Sequence, residues 1–195
     1  MADLSNQLIT KIARGVPVRF YISPTINTDG TITLSTAGGL DATAHTNAKE
    51  IGFTQDGVEM SRATSFEDLP VDQRMEGILQ SLTSQDVHIK TKVLQIRDYA
   101  NMVKLNPGTA AMTGTGFSGI SDQLDQSFSL IPVCAIAPTP NDATKFIVLI
   151  LYACYNVAPF NVMLAKKYNV TAIDLKAQDA GRADGKAWAM YETTA

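Results

Sequence analysis

The sequence predicts a mainly β fold, a β-sandwich or partial barrel with one flanking α-helix and long loops, and three stretches carry that prediction. Val87, Ile89, Thr91 and Val93 alternate with His88, Lys90 and Lys92, the two-residue period of a strand buried on one face. Phe146 to Cys154 is an apolar run of strand length, rich in β-branched and aromatic residues, which suits a strand covered on both faces by its own domain or by a neighbouring subunit. Asn27-Thr28-Asp29-Gly30 before Thr31-Ile32-Thr33-Leu34 is a hairpin signal, because Asp-Gly supplies the positive φ of a tight turn.

In chain order, Asp3 is placed to cap a short helix in which Leu4, Leu8 and Ile12 share a face and which Gly15 ends. Pro17 to Ile22 reads as a strand, and Gly38 to Thr46 as loop. Gly52 and Gly57 bracket a polar turn, from which Val58 to Thr64 runs extended. Phe66-Glu67-Asp68-Leu69-Pro70-Val71-Asp72-Gln73 holds three carboxylates and a proline, which disfavours a helix and predicts an extended, partly exposed acidic loop. Thr83 to Asp86 is expected to turn the chain into the alternating strand. After Arg97-Asp98, Tyr99, Met102 and Val103 recur at helical spacing until Pro107-Gly108 stops them, giving one short amphipathic helix.

Residues 107–141 read as an inserted segment, either a hairpin or a lateral loop, with small residues from Thr109 to Gly119 followed by Ile120 to Phe128 and Leu130 to Ile136. Gly114-Thr115-Gly116-Phe117-Ser118-Gly119 has the glycine spacing of dinucleotide sites. Such a site needs that turn between a buried strand and a helix, with an acidic ribose partner about 20 residues on, whereas position 139 is Thr. Pro138 and Pro140 mark a turn before the apolar strand. Met163 to Tyr168 connects to a strand from Val170 to Ala177. Asp179 to Gly185 is a turn, and Lys186 to Tyr191 a terminal strand in which Trp188 is assigned to core packing. No repeat period or low-complexity linker divides the chain, so residues 1–195 are expected to form one domain.

Composition narrows the function classes. Hydrophobic residues make up 45% of the chain and charged ones 18%, enough burial potential for a sizeable core. A net charge of −3 leaves no basic footprint for gripping nucleic acid, although it does not oppose DNA sliding past. Cys134 and Cys154 read as small buried hydrophobes in a reduced cytoplasm, since nothing resembling a secretion signal precedes Leu4. Asn169-Val170-Thr171 is then an accidental sequon. The apolar run is too short for a membrane-spanning helix of about 20 residues and is followed by Asn156, Pro159 and Asn161.

Catalytic chemistry finds little to stand on. His45 and His88 are not in metal-like spacing with cysteine, and Glu67, Asp68 and Asp72 are interrupted by Pro70 without a calcium-loop pattern. No metal or cofactor is therefore expected. A Ser-His-Asp triad imposes no sequence spacing, but the nucleophile-elbow motif is missing.

The order Gly52-Phe53-Thr54, Asp56-Gly57-Val58, an acidic run, Val71-Asp72-Gln73, then Leu82-Thr83-Ser84-Gln85-Asp86 leading into an alternating strand and a helix resembles the major tail tube proteins of long-tailed, siphovirus-like bacteriophages. Val170-Thr171-Ala172-Ile173-Asp174-Leu175-Lys176-Ala177-Gln178-Asp179 resembles the last strand of that family, in a similar place after a long apolar strand. Together the two stretches cover roughly half the chain.

The resemblance implies a structural virion protein and no enzyme. Such subunits form six-fold rings that stack into a hollow tube, and each contributes strands to a continuous inner β-barrel through which double-stranded DNA passes without specific binding. It further implies the tape measure protein and tail tip and terminator proteins as partners, no cofactor, and a place in the virion tail after assembly in the host cytoplasm. A long loop or hairpin reaching the neighbouring ring falls by position on residues 25–48, where a plain surface loop is the alternative.

A DNA conduit must avoid adhesion, because each lysine that neutralises a phosphate adds salt-dependent grip. Acidic or neutral polar residues are therefore expected on its wall, with Glu59, Ser61 and Thr64 as candidates. Lys90 and Lys92 are assigned to contacts between subunits with Glu67, Asp68 or Asp72 as partners; if their face looks inward, neighbouring carboxylates must balance them. Two other classes compete. One is the inner tube of a contractile tail or a head–tail connector or terminator ring; the other is a β-sandwich ligand-binding module or enzyme, which would need a concave pocket with converging polar groups.

Overall fold

Apolar and β-branched residues at two-residue spacing dictate strands along most of the chain. A computed structural model describes residues 18–69, 79–93, 103–122, 129–139, 142–158 and 171–195. These residues hold the strands β1 (Arg19–Ile22), β2 (Lys49–Leu69), β3 (Leu79–Val93), β4 (Thr109–Gly114), β5 (Phe117–Asp122), β6 (Ile131–Thr139), β7 (Asp142–Asn156), β8 (Thr171–Ala177) and β9 (Trp188–Thr194). One antiparallel sheet runs in the order β6-β1-β2-β3-β8-β7-β9, and β4 and β5 form a separate hairpin. β7 also pairs with β6, which curls the sheet back on itself. The closing link between β7 and β8 spans only Cys154 to Asn156, so the sheet stays mostly open. Residues 103–105 alone among those described are helical. The rest of the helix expected after Arg97, and the one expected from Asp3, lie outside the described residues.

Two apolar clusters occupy the two faces of this sheet. Phe20, Ile22, Ile51, Ile89, Val93, Leu149, Leu151, Ile173 and Leu175 form the larger, drawn from β1, β2, β3, β7 and β8. Tyr21, Cys134, Ile136, Val148, Ile150 and Tyr152 form the second on the opposite face of β1, β6 and β7. β7 is thus buried on both faces, which accounts for its unbroken apolar sequence, and each fully buried Leu or Ile contributes about 1.5–3 kcal/mol. The cover comes from the chain itself. Ile26, Leu34 and Leu40 pack on the second cluster beside the buried Ile32.

That covering segment is held by side chains rather than by a ladder. Buried His45 accepts the Thr25 amide on Nδ1 at 3.0 Å and donates from Nε2 to the Thr33 carbonyl at 2.9 Å. The Tyr152 hydroxyl donates to the Gly30 carbonyl at 2.9 Å, and the Ile32 amide donates to the Tyr191 hydroxyl at 2.8 Å. The Asn27–Gly30 turn expected from the sequence forms, with the Gly30 amide donating to the Asn27 carbonyl. Its flanks do not become paired strands: the only ladder element within 23–48 is an isolated bridge between Leu34 and Leu40. Side chains that satisfy the backbone remove the need for one.

Three other expectations are corrected. Gly52 to Gly57 is no turn between strands but part of β2, whose register shifts between Thr54 and Val58, where the Thr91 hydroxyl donates to the Gly57 carbonyl at 2.8 Å. Thr83 to Asp86 is not a turn either. It lies inside β3, with Ser84, Gln85 and Asp86 opposite Ser65, Thr64 and Ala63. Phe66 to Leu69 belongs to β2 rather than to a loop. The common cause is that polar residues mark a turn only when a strand needs an apolar face, and this part of the β2–β3 pair is covered by no other described strand. Within residues 107–141, β4 and β5 make a hairpin whose two-residue turn is Thr115-Gly116, so the dinucleotide-like glycines are split between β4 (Gly114), the turn (Gly116) and β5 (Gly119), whereas β6 is an integral strand of the main sheet.

Candidate functional site

The register of β2, β3 and β8 builds a polar face from residues far apart in sequence. Glu59 lies opposite Lys90, which lies opposite Asp174; Ser61 lies opposite His88, which lies opposite Lys176; Ala63 lies opposite Asp86. Directly opposed residues share a face, so Glu59, Ser61, Asp86, His88, Lys90, Lys92, Asp174 and Lys176 all project away from the larger core cluster. They interlock by charge. His88 Nδ1 is 2.7 Å from Asp174 Oδ1, Lys90 Nζ is 3.9 Å from Asp174 Oδ2, and Lys176 Nζ is 2.9 Å from Asp86 Oδ1. Hydrogen bonding to Lys176 lowers the Asp86 carboxyl from its ordinary range, and the same contact raises the Lys176 ammonium.

Asp174 is fixed from behind. Its amide donates to Oδ1 of the buried Asn156 at 2.9 Å, and Nδ2 of Asn156 donates to Asn106 Oδ1 at 2.6 Å. The end of β7 thereby sets the position of β8 and of the carboxylate that faces Lys90.

The sequence-derived wall residues divide. Glu59 and Ser61 stand on this polar face, while Thr64, opposite Gln85, stands on the other one. Lys90 and Lys92 join Glu59 and Ser61. Glu67 and Asp68 lie opposite Ser81 and Gln80; Glu67 is eight residues beyond Glu59 on β2, about 26 Å along the strand, so within one chain it does not reach Lys90. Asp72 lies outside the described residues. Asp174, His88 and Lys176 were missed as a group, although Asp174 and Lys176 alternate with Ile173 and Leu175 just as His88 and Lys90 alternate with Val87 and Ile89.

A second feature is unpaired backbone. β1 covers β2 only from Lys49 to Phe53, and β8 covers β3 only from His88 to Val93. Among the described residues, Ala63 to Leu69 and Leu79 to Asp86 therefore pair only with each other, as an arm projecting from the sheet, and β2 from Thr54 onward has no neighbour on its side away from β3. β9 likewise pairs only with β7. Residues 25–48, expected to reach outward, lie against their own sheet as described above.

Other groups have structural surroundings. Cys134 and Cys154 are both free and fully buried; burial raises both thiols, that of Cys154 to about 12. Among the described residues no three His, Cys, Asp or Glu side chains converge as metal ligands would, and no helix is long and apolar enough to cross a membrane. A cleft of about 860 Å³ opens at the root of the arm, and a smaller one of about 390 Å³ lies against Glu59, Lys90, Lys92 and Asp174. No model of a known protein family matches the chain, and no curated protein matches it.

Proposed function

We propose that this chain is a structural subunit that self-assembles through its open strand edges, and specifically a major tail tube protein of a long-tailed bacteriophage, forming stacked hexameric rings around a DNA conduit. The observation that carries the proposal is the length of strand edge that no described residue pairs: β2 from Thr54 to Leu69 on its side away from β3, and β3 from Leu79 to Val87 on its other side. Such edges are a liability for a monomer and a template for pairing with a second chain. In a closed ring a neighbour occupies each edge.

The polar face of β2, β3 and β8 is then the conduit wall. Glu59 and Ser61 lie on it and Thr64 behind it. Lys90 does not add free positive charge there, because Glu59 faces it in register on one side and Asp174 on the other. A wall whose cations are matched by carboxylates has little net pull on phosphate, as a passage for DNA requires. The virion tail as location, the tape measure protein as partner and the absence of catalysis belong to the same proposal.

Sedimentation velocity over a concentration series tests it. Hexamers and larger species should grow with concentration, and a single monomer boundary at every concentration would refute it.

A further inference from the structure

One imidazole ties together the segment that covers the second core cluster. His45 is only 3% exposed. Its backbone sits in a turn at the β2 end of the segment, where the His45 amide donates to the Asp41 carbonyl at 2.9 Å and the Ala48 amide to the His45 carbonyl at 3.0 Å. From there the ring reaches the β1 end, where the Thr25 amide donates to Nδ1 at 3.0 Å, and the middle, where Nε2 is 2.9 Å from the Thr33 carbonyl. An amide N–H only donates, so Nδ1 carries no proton and the ring proton lies on Nε2, which donates to the carbonyl. The Thr33 amide also comes within 3.2 Å of Nε2. The site is built for the neutral ring in one tautomer.

Protonation breaks this arrangement at a single atom. A proton on Nδ1 turns the acceptor of the Thr25 amide into a donor facing it, and it puts a cation where water hardly reaches. Nothing on the surrounding elements offsets that charge. On the segment itself, Asp29 accepts from the Thr31 amide and hydroxyl, and Asp41 from the Thr43 amide. β1 brings Arg19, a further cation, which hydrogen-bonds Tyr21. β2 begins with Lys49 and Glu50, opposite Ile22 and Tyr21. β6 offers only Cys134, whose thiol is kept neutral by burial. Tyr152 on β7 and Tyr191 on β9, both raised by burial, are neutral in acid as well. In the turn before β9, Arg182 and Asp184 pair with each other. Among the described residues no carboxylate pairs with the imidazole.

The segment is also the part that opens most cheaply. The strands beneath it keep their ladders without it, and the larger core cluster takes no residue from it. Besides its apolar contacts, it is joined to those strands by the Tyr152 bond to Gly30 and the Tyr191 bond to Ile32. Few such attachments make a unit that leaves on its own. We propose that His45 is a proton-operated clasp: protonation of Nδ1 in mild acid releases residues 23–48 and uncovers the apolar face of β1, β6 and β7. Tyr21, Ile136, Phe146, Val148 and Ile150 are the side chains then laid open. The closed segment takes only the neutral ring, so the open one binds the proton and gains as pH falls. The clasp goes beyond the self-assembly reading and stands without it.

Hydrogen–deuterium exchange near neutral pH and at about pH 5, corrected for the intrinsic effect of pH on exchange, tests the clasp. In the wild type, protection across residues 23–48 should fall by at least about tenfold at the lower pH while β7 keeps its own. His45→Gln supplies a carbonyl acceptor and an N–H donor that do not titrate. It should therefore hold the segment closed at both pH values. His88→Gln, which removes the other histidine, should leave the acid response intact. If circular dichroism shows that His45→Gln does not fold, nitrogen NMR of the wild-type ring takes its place, and Nδ1 should gain its proton over the pH range in which protection is lost. Protection that acid leaves unchanged, an equal loss in folded His45→Gln, or a response abolished by His88→Gln would overturn the clasp. So would a loss shared by β7, which is global unfolding, or a His45 ring that stays neutral while the segment opens.

Discussion

At the scale of single residues, the covering segment and the turn before β9 are the most exacting places. Gly38 has φ +73°, and a Cβ there would overlap the ring of Phe146 in the second core cluster. Gly116, at φ +86° in the β4–β5 turn, would point a Cβ into open space. Gly38→Ala should therefore cost more than about 2 kcal/mol by adding overlap to backbone strain, whereas Gly116→Ala should cost about 1 kcal/mol from strain alone. Urea unfolding of the two variants checks the difference, and equal losses would mean that residues 35–40 are not seated on β7 as described. The Arg182 guanidinium, hydrogen-bonded to Asp184, lowers that carboxyl from 3.8 to about 2. Because the folded state then binds fewer protons than the unfolded chain, the pairing contributes fully above pH 3.8 and is lost as pH falls through about 2. NMR titration should place the Asp184 carboxyl well below the ordinary range in the wild type and return it toward that range in Arg182→Gln; titration near 4 in both would contradict the pairing.

At the scale of elements, the β2–β3 arm is separable from the core it leaves. The described residues of the larger cluster on these two strands are Ile51, Val87, Ile89 and Val93, with Val58 and Met60 packed against it, and Ala63, Thr64, Ser65, Gln85 and Asp86 stay outside it. Replacing residues 64–85 by Asn-Gly, a two-residue turn that suits a hairpin, should leave a folded monomer whose Tm shifts by only a few degrees, and should abolish association. Collapse of the fold, seen by calorimetry, would show that the arm is part of the core after all. The same elements show what the sequence could reveal. The alternation from Val87 and the doubly covered β7 were legible because periodicity records burial directly. The arm was misread as turn and loop because a strand pair that no other described strand covers needs no apolar face, and its Ser, Thr, Gln and Asp residues look like turn residues. The face joining Glu59, Lys90 and Asp174 was half legible: each strand's polar side could be read, but only sheet order, set by long-range pairing of β3 with β8, brings Asp174 to Lys90.

At the scale of the molecule, the sheet curls around one core, shelters a second under its own loop and, among the described residues, leaves strand edges on β2, β3 and β9 without a partner. In the proposed ring a neighbour would occupy these edges, and the charge-matched face of β2, β3 and β8 would line the passage. The central claim is tested most directly by negative-stain electron microscopy of the purified chain across a concentration series. Hollow tubes with a regular axial repeat, appearing as concentration rises, are the predicted result, and a discrete monomeric particle at every concentration would contradict it.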